Sequence, residues 1–187
     1  MALVKLNPIM TSNNTPAPYK CWASSEWSTG LFPAWKAFDG STEASSYWHV
    51  SGSGNDVRSG YLYFDFGEPI LVSNFEIYPG NEGSYIPAYV TIYGTNEDGT
   101  DDSKFELIQS YSGGAYNPTQ IFTITAPKKY RVYKIYVAKN SGYNMSVQEL
   151  TFYIDNEKYK QSFKDRIKET ILGNEYLNNV VTYDIEE

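Results

Sequence analysis

The chain has 187 residues, of which 41% are hydrophobic, 17% aromatic and 20% charged, and its formal net charge is −7. A chain of this length can bury one independent core, while its composition is too apolar for a disordered protein and too often interrupted for a membrane span. The negative charge argues against a nucleic-acid partner, because the phosphate backbone requires a basic surface. The single cysteine, Cys21, excludes an internal disulfide framework.

The first 18 residues contain three prolines and many Asn, Thr and Ser residues, which predicts an extended arm or linker. No apolar stretch near Met1 is long enough for a signal peptide. We therefore expect the protein to be made in the cytoplasm. From there it would reach a virion or the cell exterior through lysis or as part of a larger assembly.

Alternation of apolar and polar residues dominates the middle of the chain. In the run from Tyr61 to Gly67, the residues Leu62, Phe64 and Phe66 are predicted to face one side of a strand. Similar short runs follow, separated by turn signals such as Pro79-Gly80-Asn81, and no helix of crossover length lies between them. The pattern predicts an all-β domain, an antiparallel β-sandwich over residues 19–156.

The pattern becomes helical after the predicted sandwich. Apolar residues recur every four positions amid charged ones: Tyr159, Phe163, Ile167 and Ile171. This spacing indicates an amphipathic helix that ends at Gly173, within a short tail over residues 157–187. Two interpretations remain open, since the helix could pack on the sandwich or could mediate oligomerisation or a larger assembly.

Several motifs follow one another in a characteristic order. They are Ala23-Ser-Ser-Glu-Trp27, Ala34-Trp-Lys-Ala-Phe-Asp-Gly40, Tyr47-Trp-His49, Gly60-Tyr-Leu-Tyr-Phe-Asp-Phe-Gly67, Thr95-Asn-Glu-Asp-Gly99, Tyr130-Arg-Val-Tyr-Lys-Ile135 and Val147-Gln-Glu-Leu-Thr-Phe-Tyr153. Their order and spacing over roughly residues 20–154 resemble discoidin (F5/8 type C) domains and the related family 32 carbohydrate-binding modules. The resemblance implies a jelly-roll β-sandwich of the galactose-binding-like type.

The loop that begins at Asp39 and Gly40 is rich in oxygen atoms, and its glycine permits a tight bend. Calcium prefers such hard oxygen ligands, including backbone carbonyls. The resemblance implies a structural Ca²⁺ ion held by the Lys36 carbonyl, the Asp39 carboxylate, Ser41, Ser46, the Gln148 carbonyl and Glu149. The alternative is that Asp39 only caps a turn and that Glu149 is a solvated strand residue.

A sugar site needs an aromatic face and a few polar groups, and modules of this family form it from loops at one end of the sandwich. The resemblance implies that His49 and Glu26 contact sugar, although His49 is equally compatible with a structural role. The arginine of the relatives is missing, and its loop offers Asn81 and Tyr85 instead. Further candidates are Tyr143, Asn144 and Trp27, the last being either a stacking platform or a core residue. We expect Trp22, Trp35 and Trp48 in the core.

No catalytic motif accompanies these residues. With one histidine and one cysteine, the chain lacks the usual metal and nucleophile constellations, so we expect no enzyme. The predicted function is non-catalytic, lectin-like recognition of cell-surface glycan, in a phage tail or baseplate or a prophage adhesion protein. The alternative is a structural or protein-interaction module that assembles through its C-terminal helix. Binding to membrane lipid is disfavoured by the acidic balance.

Overall fold

A computed structural model describes residues 2–27, 30–50, 58–79, 87–112, 120–139 and 145–157, together with residues 160, 161 and 164. Within these residues the chain forms ten strands: β1 (Leu3–Lys5), β2 (Lys20–Ala23), β3 (Trp48–His49), β4 (Ser59–Leu71), β5 (Asn74–Pro79), β6 (Tyr89–Thr95), β7 (Glu106–Ser112), β8 (Gln120–Thr123), β9 (Lys129–Ala138) and β10 (Ser146–Asp155). Two short 3₁₀ helices are present in the same residues, at Ala34–Phe38 and Asp102–Lys104.

The strands form two five-stranded sheets in which the paired strands are antiparallel. The first sheet has the order β1-β10-β5-β8, and β3 also pairs with β10. The second sheet has the order β2-β4-β9-β6-β7. Since β5 lies along one side of β10, the short strands β1 and β3 share its other side, at opposite ends. The predicted antiparallel β-sandwich is confirmed.

The core lies between the two sheets. The inner side of β4 carries Leu62, Phe64 and Phe66, all buried as the alternation predicted. Trp48 is fully buried, also as predicted, and Trp35 packs half-buried against the core. Trp22 differs from the expectation, because Cys21 next to it takes the inward position on β2. Trp22 therefore lies on the outer face of the second sheet.

The amino-terminal segment belongs to the sandwich, in contrast to the predicted arm or linker over residues 1–18. Its residues 3–5 form β1, which pairs with the end of β10. Asn7 continues this contact through its side chain, which accepts a hydrogen bond from the Phe152 amide and donates one to the Leu150 carbonyl. Met10 is completely buried in the core. The segment thus covers one edge of the first sheet, which would otherwise expose unpaired backbone groups.

Beyond β10, the described residues 156, 157, 160, 161 and 164 have helical conformation. Lys160 Nζ lies 3.1 Å from Glu157 Oε1 on this segment. The remainder of the predicted tail lies outside the described residues, and its role stays a prediction. Among the residues that the structure describes, none of the helices has both the length and the apolar character needed to cross a membrane.

Candidate functional site

The three candidate sugar-binding residues that the structure describes, Glu26, Trp27 and His49, lie at one end of the sandwich. There the first residue of β4, Ser59, pairs with Ala138 at the end of β9, which in turn pairs with Tyr89 at the start of β6. Strand β3 reaches the same end, because the next residue of β4, Gly60, packs directly against the Trp48 ring. A Cβ atom at Gly60 would come within 2.7 Å of that ring, so the close approach requires glycine.

Four rings pack together at this end. The Trp27 and Phe32 rings are stacked with centroids 5.6 Å apart, and the Phe32 and Tyr47 rings are stacked at 4.5 Å. The His49 imidazole lies 4.8 Å from the Trp27 ring. Trp27 is the outermost member and is 45% exposed, with Leu31 exposed beside it in the same loop. We call Trp27, Phe32, Tyr47 and His49 the aromatic cluster.

The local sequence explains how these rings meet. Successive side chains of an extended chain point to opposite sides, so Trp48 enters the core while Tyr47 and His49 lie on the other side. The Trp27 amide donates a hydrogen bond to the His49 carbonyl at 2.9 Å, and the His49 amide donates one to the Phe32 carbonyl at 3.5 Å. These two bonds hold the loop after β2 against β3.

The His49 side chain has a defined protonation state. Its Nδ1 lies 2.8 Å from the Val50 carbonyl oxygen, and because a carbonyl only accepts, Nδ1 carries the hydrogen. Burial lowers the pKa of His49 below its usual value, and the nearby Lys139 charge lowers it further. The hydrogen bond with Val50 acts in the opposite direction. At neutral pH the ring is therefore uncharged, and its Nε2 is a hydrogen-bond acceptor.

Glu26 positions the loop that carries Trp27. Its Oε1 accepts a hydrogen bond from the Ala34 amide at 2.8 Å, at the start of the first 3₁₀ helix. The structure thus brings Glu26, Trp27 and His49 to one region, with Glu26 engaged by the backbone. The other predicted sugar-binding residues, Asn81, Tyr85, Tyr143 and Asn144, lie outside the described residues.

Two members of the aromatic cluster were not among the predicted site residues. Tyr47 could have been predicted from the sequence, because its position two residues before His49 places both side chains on one side of an extended segment. Phe32 had none, because only the folded loop brings it next to Tyr47.

Positive charge lies close to the aromatic cluster. Lys139 directly follows β9, and its amide donates a hydrogen bond to the Arg58 carbonyl at 3.0 Å. Burial and the neighbouring Arg58 charge lower the pKa of Lys139 to about 8, so its ammonium group remains largely charged at neutral pH.

The predicted cation loop closes around Asp39. Its Oδ1 accepts a hydrogen bond from the Ser41 amide at 2.8 Å, and its Oδ2 accepts one from the Ser46 hydroxyl. Gly40 has a φ of +72°, a conformation that favours glycine, and its amide donates to Glu149 Oε2 at 2.9 Å. The loop is thereby joined to β10.

Glu149 is 8% exposed, which is inconsistent with the alternative that it is a solvated strand residue. Burial raises the pKa of its carboxyl to about 7, and the Asp39 charge adds to this rise. The Lys5 ammonium, 3.4 Å from Oε1, acts in the opposite direction. Glu149 on β10 and Asp39 in the loop are therefore neighbouring carboxyl groups, linked through the Gly40 amide.

Gln148 reaches the same loop from β10. Its Nε2 donates to the carbonyls of Thr42 and Glu43 at 3.3 and 2.9 Å, while its buried Oε1 has no hydrogen-bond partner among the described residues. Lys36 lies in the 3₁₀ helix before Asp39, and its Nζ is 3.4 Å from the Ser45 carbonyl.

The oxygen atoms around this loop are of the type that a hard cation prefers, although those of Asp39 and Glu149 already accept hydrogen bonds from the protein. In the described parts of the chain, no three His, Cys, Asp or Glu side chains are grouped to hold a metal ion. A cation here would therefore combine the two carboxylates with hydroxyl and carbonyl oxygens, a ligand set that Ca²⁺ accepts. The like-charged carboxylates and the unpaired Gln148 oxygen are both consistent with such an ion.

Comparison with known proteins identifies relatives of this arrangement. A family model described as the F5/8 type C domain matches residues 20–149. A search of curated proteins finds no match.

Several solved structures with a similar fold are carbohydrate-binding modules. One is the family 32 module of Clostridium perfringens NanJ in complex with galactose, with 24% identity, a TM-score of 0.58, and coverage of 73% of this chain and 93% of that chain. Another is chitosan-binding module 1 of a Paenibacillus sp. IK-5 chitosanase/glucanase, with 22% identity, a TM-score of 0.58, and coverage of 72% and 94%. A third, from Clostridium perfringens, is in complex with GalNAc-β-1,3-galactose and has 18% identity, a TM-score of 0.60, and coverage of 73% and 95%. At these identities the likeness establishes the fold.

Proposed function

This chain belongs to the F5/8 type C domain family, and on that basis we propose that it is a non-catalytic module that binds cell-surface glycan through the aromatic cluster. The observation that carries the proposal is the exposed Trp27 ring, held in place by Phe32 and next to the polar His49 side chain. Similar structures were solved with galactose and with GalNAc-β-1,3-galactose, and another is a chitosan-binding module.

The aromatic cluster has the two properties that sugar recognition needs. The exposed part of the Trp27 ring would offer an apolar platform to the C–H side of a sugar ring. The stack beneath it restrains that platform, so little side-chain entropy is lost on binding. The neutral His49 side chain, which is 7% exposed, would offer its Nε2 as an acceptor to a sugar hydroxyl.

The direct test is a glycan array probed with the labelled full chain, in the presence of calcium and of a chelator. We expect Trp27→Ala to weaken binding by roughly tenfold or more, as for a central aromatic anchor. Leu107→Ala is the matched control, because Leu107 is similarly exposed but lies near the start of β7, at the far end of the second sheet. A wild-type chain that binds no glycan under either condition would contradict the proposal.

We also propose that a structural calcium ion occupies the loop after Asp39. The loop would contribute the Lys36 carbonyl, the Asp39 carboxylate, Ser41 and Ser46, and β10 would contribute the Gln148 carbonyl and Glu149. The ion would neutralise the two neighbouring carboxylates and tie the loop to β10, so its role is stability and not chemistry.

The biological setting of the module, in a phage tail or baseplate or a prophage adhesion protein, stays a prediction. Assembly through the helical tail also stays a prediction.

A further inference from the structure

The outer face of the second sheet is rich in aromatic residues. One face of an antiparallel sheet is commonly solvated and polar, yet here the outward positions of four adjacent strands carry large rings. These rings are Trp22 of β2, Tyr61 and Tyr63 of β4, Tyr136 of β9, and Tyr89 and Tyr93 of β6. Such an arrangement calls for a partner on this face, within the fold or outside it.

The lower part of this face already has a partner within the chain. The loop between β6 and β7 folds over it, so that Gly99 packs against the Trp22 ring. Asp102 from the same loop accepts a hydrogen bond from Lys134 Nζ at 3.0 Å and one from the Tyr63 hydroxyl at 3.3 Å.

Lys134 is held in a cage of rings at the centre of the face. Its Nζ lies 4.4 Å from the ring centroid of Phe105, 5.0 Å from that of Tyr93 and 5.1 Å from that of Tyr61. The ammonium charge is thus compensated by Asp102 and by the ring faces. The cage restrains the Tyr61 ring from beneath without adding net charge to the surface.

In the upper part of the face the described rings are partly exposed. Tyr61 and Tyr136 are directly opposite each other in the sheet, with ring centroids 5.0 Å apart. Tyr89 lies diagonally to Tyr136, within reach of an aromatic side chain, and is 46% exposed. Beside Tyr136, Thr91 and Ser110 add a pair of hydroxyl groups that contact each other at 3.1 Å. We call Tyr61, Tyr89 and Tyr136 the tyrosine strip.

The tyrosine strip begins next to the loop of Trp27. The Ser24 amide donates a hydrogen bond to the Tyr61 carbonyl, and the Tyr61 amide donates one to the Ser24 hydroxyl. Each of the two bonds measures 3.0 Å. Trp27 is three residues further along, and an extended chain of that length spans at most about 11 Å. The strip and the aromatic cluster are therefore neighbouring surfaces.

From this continuity we propose that the tyrosine strip is a second contact surface for the same glycan, so that a sugar chain held at Trp27 runs over the rim onto the sheet. The inference depends on the proposed function. An uncharged oligosaccharide suits the surface, because the strip offers ring faces and hydroxyl groups while the nearby Lys134 charge is already paired. Binding would strengthen with chain length until the strip is covered.

The test is calorimetric titration of the full chain with galactose and linear galacto-oligosaccharides up to the hexasaccharide, and with the matching N-acetylglucosamine series. We expect a Tyr89→Ser, Tyr136→Ser double variant to bind the monosaccharide as the wild type does and to lose the gain with length, roughly 2- to 10-fold per ring. Ile121→Ser is the matched control, because Ile121 is 49% exposed but lies on β8 of the other sheet.

The outcomes separate the two proposals. If the double variant keeps the full gain in affinity with chain length, the tyrosine strip is not a glycan contact, and the proposal for the aromatic cluster is unaffected. If the Trp27→Ala variant retains monosaccharide binding, the aromatic cluster is not the primary sugar site. A wild-type chain that binds no member of either series would contradict both. Thermal unfolding of each variant verifies that the sandwich is intact.

Discussion

The Lys5 ammonium lies 3.4 Å from Oε1 of Glu149 and joins the first strand to the predicted cation loop. Glu149 ends the segment that matches the F5/8 type C domain, whereas Lys5 precedes that segment. The amino-terminal strand therefore supplies a positive charge to the two neighbouring carboxyl groups, Glu149 on β10 and Asp39 in the loop. Lys5 and a calcium ion would compensate the same negative charge.

Replacing Lys5 by glutamine should destabilise the calcium-free protein by about 1 kcal/mol or less, because the ion pair is partly exposed. Calcium should reduce this difference, since the ion neutralises the same carboxylates. Thermal unfolding with calcium and with a chelator measures both effects. Lys160→Gln, which removes the exposed pair with Glu157, is the control and should change neither curve noticeably.

Calcium should raise the melting temperature of the wild-type protein, and a chelator should lower it. An ion present at a hundred times its dissociation constant stabilises the folded state by about 2.7 kcal/mol. Asp39→Asn and Glu149→Gln should each remove most of this response, while Asp98→Asn, in an exposed turn, should retain it. Identical melting in calcium, magnesium and chelator would show that the loop is held without a metal ion.

The histidine in the aromatic cluster predicts a pH dependence of stability. Burial holds the pKa of His49 below 6.5, so the unfolded chain takes up its proton at a higher pH than the folded chain. The contribution of His49 to the free energy of unfolding should therefore fall as the pH drops from about 6.5 through the lowered pKa.

Denaturant unfolding of the wild type and of His49→Asn between about pH 5 and pH 8 isolates this contribution. The comparison is needed because Glu149 has the opposite effect on the pH dependence. Its pKa is raised to about 7 in the folded protein, so its contribution to stability falls as the pH rises from about 4.5. If the stability difference between the two proteins does not change over the range, His49 is not a buried neutral imidazole.

The ring cage around Lys134 should contribute measurably to stability. Lys134→Met keeps the apolar stem but removes the charge over the rings and the ion pair with Asp102, which should cost about 1–2 kcal/mol in urea unfolding. Asp102→Asn should cost less, since that carboxylate is largely exposed. A double-mutant cycle of the two gives their coupling, and additive effects would contradict the ion pair.

Alternation along single strands made the sandwich predictable. Leu62, Phe64 and Phe66 could be assigned to the inside because successive side chains of a strand point to opposite faces. The same rule places the Trp48 and His49 side chains on opposite sides of β3. These features depend only on residues close together in the sequence.

Features that depend on distant residues could not be predicted. The short strand β1 is followed by a segment rich in proline and polar residues, and only its pairing with β10 makes it part of the sheet. Likewise, Lys134 looks like an ordinary solvent-facing strand residue until the neighbours Tyr63 and Tyr93 are known. The contact of Glu26 with the Ala34 amide depends on how the loop folds, while its contact with sugar stays a prediction.

The pairing of Leu3 with Asp155 brings both flanks of the sandwich to the end of β10 that is opposite His49. The length of β10 separates that end from the aromatic cluster by roughly 30 Å. A surface or a label attached next to Leu3 or Asp155 would therefore lie at the end of β10 opposite to the aromatic cluster. Several copies attached side by side in this way would present their aromatic clusters in one direction, which is the geometry that turns weak single contacts into avidity.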